Sequence, residues 1–212
     1  MSLDTSYLPN NNRSKHIFLI DDDESMRISL KGILEFLGYQ VNVFESAVEF
    51  LKIKIEVAPA VIITDMRMPD INGLELQAEL LKRGRQIPII FISGQSTFPQ
   101  TISAMKQGAI EFLIKPFDRD QILSAVERGL EQDEAYMQSF TQRLTLEEML
   151  KSLSPREREV FELLAIGFNN AQLQEKLQIA LPTAKQYKSE VMRKLNLSSL
   201  AELISLKNRG VG

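Results

Sequence analysis

The chain of 212 residues carries 25 Lys and Arg against 28 Asp and Glu, for a formal net charge of −3, and 44% of its residues are hydrophobic. This composition favours a soluble globular protein with one large or two small domains. The absence of cysteine excludes disulfides and thiolate metal sites, and no apolar run approaches the roughly 20 residues that span a bilayer.

The N-terminus is polar, includes an Asn run, and lacks the apolar stretch of a signal peptide. We therefore expect residues 1–15 to form a flexible tail and the protein to be cytoplasmic, with no membrane contact.

Short apolar runs alternate with helical patterns over residues 16–130. This alternation predicts an α/β domain, a doubly wound five-stranded parallel sheet with helices on both faces. The predicted strands are 16–21, 40–44, 60–65, 87–92 and 110–114, and the predicted helices are 24–37, 46–55, 72–84, 98–107 and 118 onward.

A single helix pattern continues from residue 118 to about residue 150. Its seam has a 3-4-3-4 spacing with one acidic member: Leu123, Val126, Leu130, Asp133, Met137, Phe140 and Leu144. The spacing predicts one continuous helix through at least residue 140, with residues 131–152 as a helical linker. The seam forms a short coiled coil, or else its first three members pack on the sheet and the rest covers the linker.

Residues from 145 onward contain only helix patterns, which predicts an all-α domain over residues 153–212. Helices at 170–177 and 182–195, joined by a short turn, indicate a helix-turn-helix. Four capping boxes mark predicted helix starts: Thr145 with Glu148, Ser154 with Glu157, Asn169 with Gln172, and Ser199 with Glu202.

The C-terminal piece is also the basic part of the chain. Residues 153–212 carry nine Lys and Arg and six Asp and Glu, which leaves sixteen and 22 for the remainder. A basic piece on an acidic body favours nucleic-acid contact there, although ordinary scatter of surface charge remains an alternative.

Polar side chains stand at the ends of four predicted strands: Asp21, Asp22, Asp65, Ser93 and Lys115. Because the carboxyl ends of parallel strands meet at one edge of an open α/β sheet, we expect these side chains to converge. Three carboxylates together require a cation, and oxygen ligands suit Mg²⁺. Asp65 then has the position of a nucleophile that forms an aspartyl-phosphate, with the metal and Lys115 neutralising the developing charge.

Residues 16–130 resemble the receiver domain of bacterial response regulators, which has a flavodoxin-like fold. The resemblance rests on "DD" at 21–22, "TDMRMPDINGLEL" at 64–76, "SG" at 93–94 and "KPF" at 115–117. It implies that a sensor histidine kinase phosphorylates Asp65 and that the bond between Lys115 and Pro116 is cis. It also implies a switch formed by Ser93 and Phe112, and Mg²⁺ bound by Asp22, Asp65, the backbone carbonyl of Arg67 and, through water, Asp21. We expect phosphorylation to favour a form that dimerises or frees the DNA-binding face, with a homodimer as the phosphorylated form.

The helix predicted at 182–195 has two distinct faces. Ala184, Tyr187, Val191 and Leu195 form an apolar stripe, and polar residues lie opposite it. Such a helix suits the major groove of DNA, although a solvated helix face is the default for any such helix taken alone.

Residues 153–204 as a whole resemble the output domain of the FixJ/NarL (LuxR-type) regulators, through "LSPREREV" and the pattern T-x-K-x-Y-K-S-x-V-M-R-K-L. The resemblance implies base contacts from Lys185, Gln186 and Ser189, and phosphate contacts from Thr183, Lys188 and Lys194.

The output segment departs from the family pattern at several positions. Ala171 stands where the family has a phosphate-facing Lys, Gln174 replaces a small Ala, Gln178 replaces a Gly in the turn, and Ala180 replaces a Ser cap. These departures leave the fold intact, and they leave the strength of DNA binding open.

The combined pattern predicts a DNA-binding transcriptional regulator controlled by phosphorylation of Asp65, and not an enzyme beyond its own phosphoryl chemistry. One alternative is a phosphatase with a strand-end Asp nucleophile, but such enzymes need a second acid two residues on, where this chain has Arg67. Another alternative is a response regulator whose degenerate output domain binds protein rather than DNA.

Overall fold

The computed structural model describes residues 15–94 and 98–210, with the backbone alone for Phe98 and for residues 208–210. The predicted tail therefore lies outside the described residues except for Lys15. The chain divides between Gln138 and Ser139 into two compact units, a division that falls inside the predicted linker. In the described part of the chain, no helix is both long enough and apolar enough to cross a bilayer.

The first unit is a five-stranded parallel sheet with the strand order β2-β1-β3-β4-β5, which confirms the predicted α/β fold. Its elements are β1 His16–Ile20, α1 Glu24–Phe36, β2 Gln40–Phe44, α2 Ala47–Phe50, β3 Ala60–Asp65, α3 Gly73–Lys82, β4 Ile89–Ser93, α4 Phe98–Lys106, β5 Glu111–Ile114 and α5 Arg119–Lys151.

Two apolar cores cover the two faces of this sheet. Residues of β3 alternate between them, with Ile62 in one core and Val61 and Ile63 in the other. Every residue of β3 is buried, as expected of a central strand in a parallel sheet that helices cover on both faces. The strand that ends at Asp65 is therefore a rigid support.

The second helix is shorter than the predicted 46–55, because α2 ends at Phe50. The following segment 51–57, "LKIKIEV", alternates partly buried apolar residues with exposed charged ones. Its apolar members Leu51, Ile53, Ile55 and Val57 pack against one of the sheet cores. A two-residue period is that of an extended chain rather than a helix, so the prediction was wrong in this segment.

Helix α5 runs without a break through residue 140, as predicted. Leu130 is buried against the sheet, and Gly129 lets the helix approach β3, since a Cβ at this position would lie 2.7 Å from Val61. The first part of the seam therefore packs on the sheet. The acid in the seam, Asp133, is fully buried, and it accepts hydrogen bonds from the Ala60 N–H and from Arg85, both at 2.8 Å.

The second unit contains the last turns of α5 and four further helices around one apolar core. These helices are α6 Pro155–Ala165, α7 Asn170–Leu177, α8 Leu181–Lys194 and α9 Leu200–Gly210. The helix-turn-helix pair predicted at 170–177 and 182–195 corresponds to α7 and α8, within one residue at each end.

Two of the four predicted capping boxes are complete in the structure, those that begin at Ser154 and Asn169. At the start of α9, the Ser199 hydroxyl accepts the Glu202 N–H at 3.2 Å. The box at Thr145 was wrong, because Thr145 lies inside α5 and its hydroxyl donates to the carbonyl of Thr141 at 2.9 Å. This back-bond to the preceding turn satisfies a hydroxyl within a helix, so the motif there does not mark a helix start.

Candidate functional site

The ends of three strands, β1, β3 and β5, build an acid–base cluster at the carboxyl edge of the sheet. Asp65 ends β3, Asp21 follows β1 and Lys115 follows β5. The Lys115 Nζ lies 3.0 Å from Asp21 Oδ2 and 2.9 Å from Asp65 Oδ1. These two carboxylate oxygens therefore lie no more than about 6 Å apart, the sum of the two distances, and the predicted convergence of the three side chains is confirmed.

Asp65 is held from several sides. Its Oδ2 accepts the Arg67 N–H at 2.6 Å while its Oδ1 faces Lys115, and only 6% of the residue is exposed. Contacts on both oxygens, at the end of a buried strand, orient the carboxylate toward the open edge of the sheet.

Burial and opposite charge act against each other in this cluster. Burial raises the pKa of Asp21 above its ordinary value, although hydrogen bonds from the Asp23 N–H and Lys115 favour the charged form. Burial alone would lower the pKa of Lys115, but its bonds to Asp65 and Asp21 outweigh this effect and raise the pKa. Lys115 is therefore a firmly protonated ammonium between two carboxylates.

Ser93 and Phe112, the two residues of the predicted switch, lie on β4 and β5 beside the cluster. Ser93 is 1% exposed, and its hydroxyl has no hydrogen-bond partner among the described residues. A buried unpaired hydroxyl is uncommon, and its place beside Asp65 and Lys115 leaves it available to a ligand at the cluster. Phe112 is half-buried and stacks on Phe91 with ring centroids 6.1 Å apart.

The oxygen donors at the sheet edge fit Mg²⁺ in type. Receiver domains use Mg²⁺ in their phosphorylation. No three acidic or His side chains cluster tightly enough to bind a metal by themselves within residues 15–94 and 98–210, and Asp22 is exposed. Mg²⁺ does not require such a cluster, because it usually takes one or two carboxylates and keeps several waters.

Gly73 is a site-positioning residue that the sequence did not single out as functional. It begins α3 and packs directly beneath the acid site, where a Cβ would lie 2.8 Å from both the Asp65 carbonyl oxygen and the Phe91 ring. The only sequence signal was a Gly eight residues after Asp65, and that signal also fits a simple turn. The bond between Lys115 and Pro116 is cis, as predicted from the family resemblance.

Helix α8 presents a polar surface away from its core. Its predicted apolar stripe faces the core, with Ala184, Val191 and Leu195 buried and Tyr187 half-buried. We define the outward face of α8 as Lys185, Gln186 and Ser189, all of which are exposed. The remaining predicted contacts, Thr183, Lys188 and Lys194, are half-buried.

Lys194 has a binding partner inside the domain. Its Nζ lies 2.6 Å from Glu157 Oε2 and 3.4 Å from the carbonyl oxygen of Ser152. By contrast, Lys185 and Lys188 form no ion pair within the described part of the chain.

The departures from the family pattern have visible structural effects at the start of α8. Ala180 occupies the N-cap and makes no side-chain cap bond. Gln178, in the preceding turn, has φ 52° and ψ 46°, a left-handed conformation that favours glycine. The turn therefore adopts the left-handed conformation with Gln in place of Gly, and α8 begins without the hydrogen bond that a Ser cap would supply.

Both units match families of known proteins. The model of the response regulator receiver domain matches residues 17–127, and the model of bacterial regulatory proteins of the luxR family matches residues 151–207. Nodulation protein W of Bradyrhizobium diazoefficiens is 38% identical over 190 residues, which cover 90% of this chain and 84% of the relative. The transcriptional regulatory protein FixJ of the same organism is 34% identical, with 92% of this chain and 95% of the relative covered.

Solved structures give the same assignment. The response regulator StyR is 38% identical with a TM-score of 0.86, covering 93% of this chain and 100% of that one. Full-length FixJ from B. japonicum is 34% identical with a TM-score of 0.57, covering 92% and 96%. With an acid cluster at the receiver sheet edge and a helix-turn-helix in the second unit, the chain belongs to the response regulators that join a receiver domain to a LuxR-type DNA-binding domain and regulate transcription.

Proposed function

We propose that Asp65 accepts a phosphoryl group from a sensor histidine kinase and that this modification controls DNA binding by the second unit. The observation that carries the proposal is the Lys115 ammonium, which contacts Asp65 and Asp21 together. An ammonium at this position counters the charge of a phosphoryl group on Asp65.

The transfer is a direct exchange between two nucleophiles. One carboxylate oxygen of Asp65 bonds to phosphorus while the phosphorus–nitrogen bond of the donor phosphohistidine breaks, and the imidazole nitrogen keeps the electron pair. Asp22, Asp65, the Arg67 carbonyl and, through water, Asp21 would hold Mg²⁺, which would supply positive charge to neutralise the phosphoryl oxygens.

The response to phosphorylation involves Ser93 and Phe112. The unpaired Ser93 hydroxyl donates a hydrogen bond to a phosphoryl oxygen, which satisfies a buried group that has no partner in the described structure. Movement of Ser93 toward Asp65 opens space for the Phe112 ring, which changes rotamer.

The phosphorylated form is a homodimer in this proposal. Apolar side chains on the adjacent elements α4 and β5 support it, since Ile102, Met105 and Ile114 are exposed. Contact between two such surfaces would remove this apolar area from water. Sedimentation of the protein with and without a phosphodonor measures the change directly.

The outward face of α8 reads base edges, and Thr183 and Lys188 contact phosphates. The uncompensated charges of Lys185 and Lys188 support these roles. Because its target is DNA, the protein acts in the cytoplasm of the cell. Salt-dependent binding to mixed DNA is the result expected here, and its absence would favour an output domain that binds protein.

A phosphatase activity toward external substrates is not part of this proposal. Arg67, and not an acid, stands two residues after Asp65, and its backbone N–H is engaged with the Asp65 carboxylate. Failure to turn over a generic phosphate ester is the expected result.

Labelling with acetyl phosphate in Mg²⁺ tests the phosphoacceptor. Asp65→Asn should abolish the mass increase of one phosphoryl group, because an amide is not a nucleophile for this reaction. Asp70→Asn is the matched control, since Asp70 is exposed on the same loop and its φ of 65° is one that Asn accepts. Undiminished labelling of Asp65→Asn would place the nucleophile elsewhere.

A further inference from the structure

The two ends of α8 are held differently within the DNA-binding unit. The N-terminal end begins at Ala180 with no side-chain cap. The C-terminal end carries Lys194, whose ammonium contacts both Glu157 and the Ser152 carbonyl. Beyond the apolar stripe that packs on the core, polar side-chain contacts from α8 to other helices are therefore concentrated at its last turn.

Lys194 joins the ends of three helices. Ser152 directly follows α5, Glu157 lies in the first turn of α6, and Lys194 is the last residue of α8. The same Glu157 Oε2 also accepts the Ser154 N–H at 2.7 Å, which completes the capping box of α6. One carboxylate oxygen thus fixes the start of α6 and the end of α8 together.

The ion pair between Lys194 and Glu157 is poorly suited to separating so that Lys194 can bind a DNA phosphate. Glu157 is 7% exposed, and its hydrogen bond from Lys194, together with the Ser154 N–H, lowers its pKa, so the carboxylate is charged at neutral pH. Moving Lys194 to a phosphate would leave this charged carboxylate without its cation, which is unfavourable.

The anchor, by which we mean the contacts of Lys194 with Glu157 and Ser152, lies close to the residues proposed to face DNA. Ser189 precedes Lys194 by five residues, about 7.5 Å along the helix axis at 1.5 Å per residue. A rotation or shift of the last turn is therefore transmitted to the outward face of α8. Base contacts require placement within hydrogen-bonding distance, whereas non-specific phosphate attraction tolerates such shifts.

We propose that Lys194 is a positioning residue that sets the orientation of α8 through Glu157, and that it does not contact a DNA phosphate. This inference rests on the DNA-reading role proposed for α8. It replaces the phosphate contact expected for Lys194 from the family resemblance, and it assigns to Glu157 a role in sequence reading although an acid near DNA repels it.

The test measures DNA binding by the full chain on two duplexes of equal length, one selected from random sequences by this protein and one scrambled. Glu157→Gln is the main variant, because Gln also serves in a capping box and only the charge is removed. Glu159→Gln is the matched control, since Glu159 lies on the same helix but pairs with Arg156 at 2.5 Å rather than with α8. Lys194→Met and Lys194→Arg complete the set.

We expect Glu157→Gln and Lys194→Met to weaken binding to the selected duplex roughly five- to tenfold, about the loss of one base-pair contact. Binding to the scrambled duplex should not fall for Glu157→Gln, and Lys194→Met should keep the slope of affinity against salt. Lys194→Arg, which can still pair with Glu157, should bind like the parent, and so should Glu159→Gln. Thermal unfolding establishes that each variant is folded at the binding temperature.

If Lys194 instead contacts a DNA phosphate, the variants should give the opposite results. Lys194→Met would then reduce the salt slope by about one, and Glu157→Gln would bind both duplexes at least as tightly as the parent, because it removes a negative charge and frees Lys194. Either result overturns the proposal. If Lys194→Met does not fold, Glu157→Gln decides alone by the sign of its effect on the selected duplex. If the parent chain binds no DNA at all, the result would instead contradict the proposed function.

Discussion

The acid site at the sheet edge and the outward face of α8 differ in how their side chains are held. Asp65 lies at the end of a buried strand, with contacts to Lys115 and the Arg67 N–H on its two oxygens. Lys185, Gln186 and Ser189 are exposed on a helix that begins without a cap. Chemistry at a single atom requires fixed geometry, whereas reading DNA depends on the orientation of a whole helix. We therefore expect substitutions at the acid site to slow phosphorylation sharply, and substitutions on the outward face of α8 to reduce DNA affinity in smaller steps.

Overpacking beneath Asp65 should have the largest effect. In Gly73→Ala the new methyl would meet the Asp65 carbonyl and Phe91 at 2.8 Å, so α3 or the end of β3 must move. We expect a cost of about 1–3 kcal/mol in unfolding free energy and labelling by acetyl phosphate slowed up to about 100-fold if Asp65 shifts by about 1 Å. Urea unfolding and labelling rates measure both.

Gly32→Ala is the control for this substitution. Gly32 lies within α1, and a Cβ there meets nothing within 4 Å. It should stabilise the protein by about 0.5–1 kcal/mol and leave labelling unchanged. If the two variants behave alike, close packing at Gly73 does not position the acid site.

Two lysines on α8 should separate base reading from phosphate attraction. Lys185→Ala is expected to cost on the order of 1–3 kcal/mol at a specific duplex and to relax specificity at one base pair. Lys188→Ala should weaken all sequences alike and reduce the salt slope by about one. Titrations over a salt series on specific and scrambled DNA distinguish them, and parent-like binding by both variants would show that this face does not read DNA.

Restoring the missing cap should give the smallest effect. Ala180→Ser supplies a hydroxyl for the free N–H groups in the first turn of α8, and we expect about 0.5–2 kcal/mol of stabilisation. The increase should appear in thermal unfolding, with base specificity retained because the anchor at Lys194 is unchanged. A Ser variant with unchanged unfolding would mean that the start of α8 is already satisfied by other means.

Features defined by local sequence were predicted well. The strand ends at Asp21, Asp65 and Lys115 followed from the rule that parallel strands share a carboxyl edge, and the long α5 followed from its periodicity. The end of α2 was misplaced although the alternation in residues 51–57 indicated an extended chain. That segment directly follows α2 with a similar mix of apolar and charged residues, so composition alone does not mark the change of period.

Long-range contacts were not accessible from the sequence. Asp133 read as a polar interruption of an apolar seam, and its partners, Arg85 and the Ala60 N–H, are 48 and 73 residues away in the chain. Likewise, Lys194 matched a family position for DNA contact, while its pairing with Glu157 depends on how α6 and α8 pack. Tertiary packing assigns such charges to partners that a linear pattern does not reveal.

We propose above all that phosphorylation of Asp65 controls DNA binding. The most direct measurement is the affinity of the full chain for a duplex selected from random DNA, with and without acetyl phosphate and Mg²⁺, for the parent, Asp65→Asn and Asp70→Asn. We expect the donor to strengthen binding at least about fivefold, the lower range of allosteric coupling, in the parent and in Asp70→Asn but not in Asp65→Asn. An unchanged affinity in the parent, or an equal increase in Asp65→Asn, would contradict control by Asp65.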